Sequence, residues 1–560
     1  MIHDKSGILH LAQLMLRRNI RHVVISPGSR NAPLVAVFGN EKAFETFTVV
    51  DERSAAFFAL GMAQQLNNAV ALVCTSGTAV LNYAPAVAEA YYQRIPLVVI
   101  TADRPAEWID QGDGQTIHQL NIFGPHVRKS VMLPQSISKP DDLWYNDRLI
   151  CEALNAALEP VHGPVHINVP LAEPLYGFST EDNHKIYDIS DVEVLRVPVL
   201  TQLEKLKIVW ENAPRKMILA GQMSPDEKIQ DCLNKLAQRT DVVVLTETTS
   251  NCFNSGFTEC IDRSLAVMQE ASDYYPDLLI TFGGPVVSKR IKAFLRKAAP
   301  AVHWNVDLAD SRMDTYQSLT HAIAVSPADF LPLLELFPVV SSHYSAKWGE
   351  LNNRGKQLHE TFLSQASWSD LKIFELIIKA LPSEYLVQLG NSTPVRYAQL
   401  FDSGWAARFD SNRGTSGIDG SLSTAVGAAL ASKKPTLLIT GDLSFFYDSN
   451  GMWNKNLPAN LKIIVINNGG GGIFRFIEGP DQSGLLQDFF EARHQNSAVK
   501  LASAFGLSCF KAEDTESFKM VFNTFLEEKN HAALLEINSP PEVSGQTIRQ
   551  YFDFLRKGLD

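Results

Sequence analysis

One alternation, repeated along the whole chain, limits what it can fold into. A short run of β-branched residues gives way to a small or polar turn, and then to a longer stretch with apolar residues at helical spacing. The first series of runs is HVVIS (22–26), FTVVDE (47–52), AVALVCTS (69–76), PLVVITAD (96–103) and VHINVP (165–170). The second is KMILAG (216–221), VVVLTE (242–247), LLITFG (278–283), HWNVD (303–307) and HAIAVS (321–326), and the third YLVQLG (385–390), PTLLITGD (435–442), LKIIVINN (461–468) and AALLEINS (532–539). Near-continuous apolar strands alternating with helices imply parallel sheets covered on both faces. A chain of 560 residues is too long for one core and suggests about three domains. The expected fold is α/β, with three consecutive doubly wound parallel-sheet domains at 1–180, 195–338 and 360–560. Polar segments near 176–200 and 336–366, broken by Pro, Ser and Asn, read as linkers. VISPGSRNAPL in the first unit has the layout of QLGNSTPVRYAQL in the third, and CTSGT after AVALV sits where ITGDLS follows PTLL. Duplication accounts for this, and so does the general likeness of doubly wound domains.

Apolar residues at 45% and charged residues at 20% exclude a disordered chain. The net charge of −11 sets the surface against nucleic acid and acidic membranes, so a local cluster of Arg and Lys is informative. The six cysteines show no CxxC spacing, which argues against a zinc site or disulfide framework and fits a reducing compartment. The N-terminus lacks the apolar core of a signal peptide, and no run approaches the ~18 apolar residues of a membrane span. The expectation is a cytoplasmic protein with no stable membrane insertion and no nucleic-acid partner.

The segment from Gly441 to Gly472 carries the most specific chemistry. One strand ends in Gly441-Asp442-Leu443-Ser444, and another in Asn467-Asn468-Gly469-Gly470. Both put oxygen-bearing residues at the carboxyl end of a strand, where open α/β sheets bind ligands. A carboxylate and an amide oxygen, with glycines where backbone must approach, suit Mg²⁺ beside a diphosphate. An Asp capping the next helix followed by a glycine turn is the plainer alternative. Gly112-Asp113-Gly114 does not follow a strand and has only Lys139-Pro140 at the matching distance, so it reads as a loop. The glycines 469–472 lack the Lys-Ser/Thr of a P-loop.

The 26 residues from Asp442 to Asn468 resemble the motif of thiamine diphosphate enzymes, which opens Gly-Asp-Gly and closes Asn-Asn. Leu443 departs from it, standing where the motif has Gly. The resemblance implies that Asp442, Asn468 and the Gly470 carbonyl hold magnesium, with manganese as the alternative. It also places Gly441, Leu443, Ser444, Gly472, Ile473 and Phe474 at the cofactor, together with Thr75, Ser76 and Gly77 of TSGT. This cofactor needs a carboxyl group on its pyrimidine N1′, and Glu52 in TVVDERSAAFFALGMA resembles the family's glutamate. Burial would raise its pKa. A helix-start acid favoured by the dipole is the blander reading. Ile418 in GIDGSLSTAVGAAL matches the residue that wedges the two cofactor rings, and an ordinary core Ile is its alternative. In this family the pyrimidine unit of one subunit faces the diphosphate unit of another, which implies a homodimer or a dimer of dimers.

A cationic set surrounds these positions: Arg30 beside Ser29, Arg104, Lys289, Arg290, Arg396 near Ser392, and Arg413, with Gln115 in a nearby loop. Arg suits bidentate capture of carboxylates, so a polyanionic substrate is expected, although any one of these taken alone reads as a solvated side chain. SPGSRNAPL, DERSAAFFALG, TSGTAV, ITADRP, SNRGTSGIDG and GDLS…NNGGGGIF together resemble the 2-succinyl-5-enolpyruvyl-6-hydroxy-3-cyclohexene-1-carboxylate synthase family over essentially the whole chain. The resemblance implies decarboxylation of 2-oxoglutarate and 1,4-addition of the succinyl carbanion equivalent to isochorismate, in menaquinone biosynthesis. It makes the cationic set, Ser29, Gln115 and Ser392 the substrate contacts. Ile473 and Phe474 resemble an apolar wall at the reacting carbon, with core packing as the alternative. An acetohydroxyacid synthase-like carboligase is the rival, and a non-catalytic relative and a Rossmann dehydrogenase stand behind it. The middle unit has no GxGxxG, which counts against flavin or dinucleotide binding. His118 in TIHQ reads as structural or solvated.

Overall fold

A computed structural model describes residues 5–177, 183–475 and 484–558. The alternation seen in the sequence becomes three sheets whose described pairings are all parallel. The first contains β1 (His22–Ile25), β2 (Glu45–Thr48), β3 (Val70–Cys74), β4 (Leu97–Asp103), β5 (Ser130–Met132) and β6 (Val165–Pro170), in the order β2-β1-β3-β4-β6-β5. The second contains β7 (Lys216–Ala220), β8 (Val242–Thr246), β9 (Leu278–Phe282), β10 (Val302–Val306) and β11 (His321–Ile323), ordered β11-β10-β9-β7-β8. The third contains β12 (Leu386–Leu389), β13 (Arg408–Asp410), β14 (Thr436–Gly441), β15 (Leu461–Asn467), β16 (Ser508–Ala512) and β17 (Ala533–Asn538), ordered β13-β12-β14-β15-β17-β16. Numbered within each unit, the first and third sheets have one strand order, a likeness deeper than the shared turns in the sequence.

Two expectations are corrected, and three strands are added. FTVVDE is not a strand through Glu52: β2 is Glu45–Thr48, and Asp51 caps the following helix by accepting from the Ser54 N–H at 3.0 Å. The polar stretch 336–366 is not simply a linker. Its greater part is the helix Tyr344–Gln365, which buries Tyr344, Trp348, Leu351, Leu358 and Leu363 at helical spacing. Their periodicity was diluted by the polar residues between them. Strands β5, β13 and β16 carried no apolar run to announce them, and all three lie at sheet edges, where one side goes unpaired. Residues 183–199 hold neither helix nor strand.

One apolar core runs through the first and third units, joining Ala55–Ala63 to Leu422, Ala425, Val426 and Ala429. Its centre is the crossing of the helices Glu52–Leu66 and Ser421–Ser432, each placed after the second strand of its unit. A Cβ at Gly61 would lie 1.9 Å from the Thr424 carbonyl oxygen, and a Cβ at Gly427 1.9 Å from that of Phe58. Only glycine lets the two backbones approach this closely. The two contacts mirror each other, as a local twofold axis between equivalent helices requires.

Candidate active site

At the carboxyl edge of the third sheet, Asp442 begins a helix (Asp442–Tyr447) directly after β14 and is 1% exposed. Its Oδ2 accepts the Gly470 N–H at 2.9 Å and lies 3.3 Å from His494 Nε2, while Oδ1 accepts the Leu443 N–H at 2.6 Å. The carboxylate thus ties the end of β14 to the glycine turn after β15. Gly470 has φ of +154°, and a Cβ there would meet the Glu491 carbonyl oxygen at 2.5 Å, so this position demands glycine. Asn468 is buried, and its amide Nδ2 donates to Asp370 Oδ2 at 3.4 Å. With the NH₂ so engaged, the amide oxygen is free to face a cation. The Gly470 carbonyl accepts the Gly472 N–H at 3.0 Å and keeps a second lone pair. One carboxylate, one amide oxygen and one backbone carbonyl make a hard-oxygen set that fits a divalent cation beside a diphosphate. Leu443 lies within a helical turn that any residue can adopt, so its departure from the motif leaves the backbone path unaffected.

Ser444 Oγ donates to the Ile418 carbonyl at 2.7 Å. Ile418 itself is 37% exposed, which sets aside the core-residue alternative for it. Phe474 packs its ring 5.5 Å from that of Phe490, and Ile473 is half-buried beside it.

The first unit presents a second set. Glu52 opens its helix half-buried; desolvation by burial raises its pKa first, opposed by its backbone hydrogen bond, with Asp51 adding to the rise. Its charge also reaches the buried Cys74 and Tyr83. Thr75 and Ser76 are buried with hydroxyls that find no protein partner. Such orphaned groups at a strand end are what a bound polar molecule would satisfy. Gly77, at φ +85°, receives Gln119 Oε1 on its N–H at 2.9 Å, and a Cβ there would meet Gln115 Cα at 3.2 Å. Gln115 therefore borders the TSGT turn. Arg53, next to Glu52, donates to the Tyr447 carbonyl at 2.8 Å, so the start of this helix touches the far end of the helix that Asp442 begins.

The cations fall into two groups. Arg30 is buried, donates to the Leu171 carbonyl at 3.0 Å and pairs with Glu173 at 3.2 Å, while Ser29 is exposed. Arg104 pairs with Asp113 at 2.9 Å and donates to the Gly114 carbonyl at 3.1 Å, so the Gly112-Asp113-Gly114 loop serves as its partner. In the second group, Arg396 donates to the Ser392 carbonyl at 2.6 Å, and Arg413 to Asn391 Oδ1 at 3.0 Å. Burial lowers the pKa of both arginines, and for Arg396 the neighbouring Arg413 adds to the shift. Lys289 and Arg290 are exposed at the start of a middle-unit helix; Arg290 stacks 4.1 Å over the Phe552 ring and shares with Arg396 the field of half-buried Asp262. His118 is an exposed partner of Asp110 at 2.9 Å.

Several residues escaped the sequence reading. Buried Glu89 accepts the Gly414 and Thr415 N–H groups, each at 2.7 Å, and so joins the first unit to the loop that carries Arg413. Asp370, Gln119 and His494 orient Asn468, Gly77 and Asp442, and Glu247 lies under the second group of cations. None stands in a motif. Only the pairing across distant segments shows their role, and spacing along the chain does not record it. All six cysteines are free, and among the described residues no helix is long and apolar enough to cross a membrane.

Comparison with known proteins matches the three units in turn. The family described as thiamine pyrophosphate enzyme, N-terminal TPP binding domain, covers residues 6–122. The middle domain of thiamine pyrophosphate enzymes covers 198–387, and the C-terminal TPP binding domain covers 392–537. A 2-succinyl-5-enolpyruvyl-6-hydroxy-3-cyclohexene-1-carboxylate synthase of Porphyromonas gingivalis is 42% identical over 99% of this chain and 97% of its own. Proteins of the same description from Flavobacterium johnsoniae and Flavobacterium psychrophilum are 42% and 44% identical, each over 99% of both chains. Identity at this level along all three sheets admits one conclusion: the chain belongs to the 2-succinyl-5-enolpyruvyl-6-hydroxy-3-cyclohexene-1-carboxylate synthase family of thiamine pyrophosphate enzymes.

Proposed function

We propose that the chain removes carbon dioxide from 2-oxoglutarate and adds the remaining succinyl carbanion equivalent, in 1,4 fashion, to isochorismate, giving the product named in its relatives' description within menaquinone biosynthesis. Thiamine diphosphate, when bound, supplies the nucleophilic carbon and the electron sink for this chemistry. Asp442, Asn468 and the Gly470 carbonyl would hold magnesium, or manganese in its place, against the diphosphate. Glu52 would hold a proton at the pyrimidine N1′, a role its raised pKa suits. Thr75, Ser76 and Gly77 line the pyrimidine side, while Gly441, Leu443, Ser444 and Gly472 shape the diphosphate side. Ile418 supports the rings, and Ile473 with Phe474 walls the reacting carbon. By the family resemblance, Glu52 of one chain would face Asp442 of another, in a homodimer or a dimer of dimers, in the cytoplasm.

The observation that carries the substrate assignment is the gathering of Lys289, Arg290, Arg396 and Arg413 from two units of an acidic protein. Both proposed substrates are dicarboxylates, and forked guanidinium groups recognise them better than a monocarboxylate. Arg30, Arg104, Ser29, Gln115 and Ser392 would complete the contacts. Purified protein with thiamine diphosphate and Mg²⁺ should consume isochorismate and release carbon dioxide from 2-oxoglutarate. Turnover of pyruvate with isochorismate left untouched would overturn the reading in favour of an acetohydroxyacid synthase-like carboligase.

A further inference from the structure

Glu247 follows β8 in the middle unit and is 1% exposed. Its two carboxylate oxygens accept separate backbone groups, the Val287 N–H at 2.6 Å and the Ser288 N–H at 2.7 Å. Ser288 in turn caps the helix Lys289–Ala298, taking the Ile291 N–H on its hydroxyl at 3.0 Å and donating that hydroxyl to half-buried Asp262. A buried carboxylate, Glu247, and a half-buried one, Asp262, therefore fix the residues immediately before Lys289 and Arg290. The helix they hold begins with cations and has no acid in its first turn. This arrangement opposes the helix dipole, so helix stability does not explain it. Glu247 also lies in the field of Arg396 and Arg413, which come from the third unit.

We propose that Glu247 is a positioning residue for substrate binding: it locks the turn at Val287–Ser288 so that Lys289 and Arg290 face the same anionic group as Arg396 and Arg413. The proposal rests on reading those four cations as the carboxylate site. The charged and titratable groups facing Glu247 are Asp262, Lys292, Tyr316, Arg396 and Arg413. Burial, the largest influence, holds its carboxyl at about 7 against the two amide hydrogen bonds. Protonation replaces one acceptor oxygen by a hydroxyl and loosens one of the two amides.

The test is equilibrium binding of 2-oxoglutarate to the full-length protein and to Glu247→Gln, alongside KM and kcat for both substrates. The amide keeps the shape but turns an N–H toward a backbone N–H. Binding should weaken about tenfold, with KM changing more than kcat. Wild-type affinity should fall as pH drops through about 7, and the variant should lose this dependence. Unchanged affinity would overturn the proposal, and so would tighter binding, which marks Glu247 as a mere counter-charge. If the variant does not fold, Ser288→Ala, which removes the hydroxyl cap of the same helix, takes its place, and unchanged 2-oxoglutarate affinity there overturns the proposal. If the wild type binds 2-oxoglutarate but leaves isochorismate unused, the proposed reaction fails, and the binding comparison still judges Glu247. If the wild type binds no 2-oxoglutarate at any pH, both fall.

Discussion

Replacing Gly427 by Ala sets two known effects against each other. Inside a helix the change should stabilise by up to ~1 kcal/mol, because Ala loses less backbone entropy on folding than Gly. Here, however, the added methyl would sit 1.9 Å from the Phe58 carbonyl oxygen, a backbone atom that no rotamer change can move. Ordinary contact begins near 3.4 Å, so the helices must separate by about 1.5 Å and loosen the core between the first and third units. Overpacking of this kind costs about 1–3 kcal/mol, and a backbone-on-backbone clash belongs at the upper end. The net expectation is destabilisation by about 2 kcal/mol, lowering the relevant transition by roughly 4–8 °C. Gly349 supplies the control: it lies in the helix Tyr344–Gln365, and a Cβ there would meet nothing within 4 Å. Gly349→Ala should leave the transition unchanged or raise it. Calorimetry of both variants at one scan rate decides, and a Gly427→Ala midpoint at or above that of Gly349→Ala would refute the close-approach argument.

Three further outcomes are expected. Glu52→Gln should retain cofactor binding yet slow hydrogen–deuterium exchange at the thiazolium carbon by about tenfold or more, and an unchanged exchange rate would remove Glu52 from this role. Asp442→Ala should weaken Mg²⁺-dependent thiamine diphosphate binding by at least about tenfold in a fluorescence titration, since the carboxylate both presents an oxygen and holds Gly470. Buried Asp448, which accepts from the Ser423 N–H and hydroxyl, is raised by burial from 3.8 to about 7. The folded state then binds more protons than the unfolded state between these values. Its contribution is full below about pH 4 and is lost as pH rises through about 7, and Asp448→Asn should flatten this part of a thermal-midpoint profile.

Strand runs such as AVALV and KIIVI declared themselves because central parallel strands are apolar on both faces. SVM and RFD could not do so, since three residues are too few to show a period. The helix Tyr344–Gln365 was hidden for another reason: its buried residues keep a helical period, but NNRGKQ separates them. The segment proposed to hold the metal was legible because Asp442 and Asn468 directly follow the neighbouring strands β14 and β15, which pair as far as Gly441 and Ile466. Asp370, which turns the Asn468 amide, stands nearly a hundred residues earlier and depends on tertiary packing alone. The cations were recognisable as a set, but not their division into one group in the first unit and another between the second and third.

The reciprocal placement of Gly61 against Thr424 and Gly427 against Phe58 makes the two positions energetically interdependent. A single displacement of the helices relieves both clashes, so the double alanine variant should cost less than the sum of the single ones. After the first substitution, the second glycine loses most of its steric reason to remain. The two halves of the chain thus share one constraint: drift at either position alters the selection acting on its mirror image more than three hundred residues away.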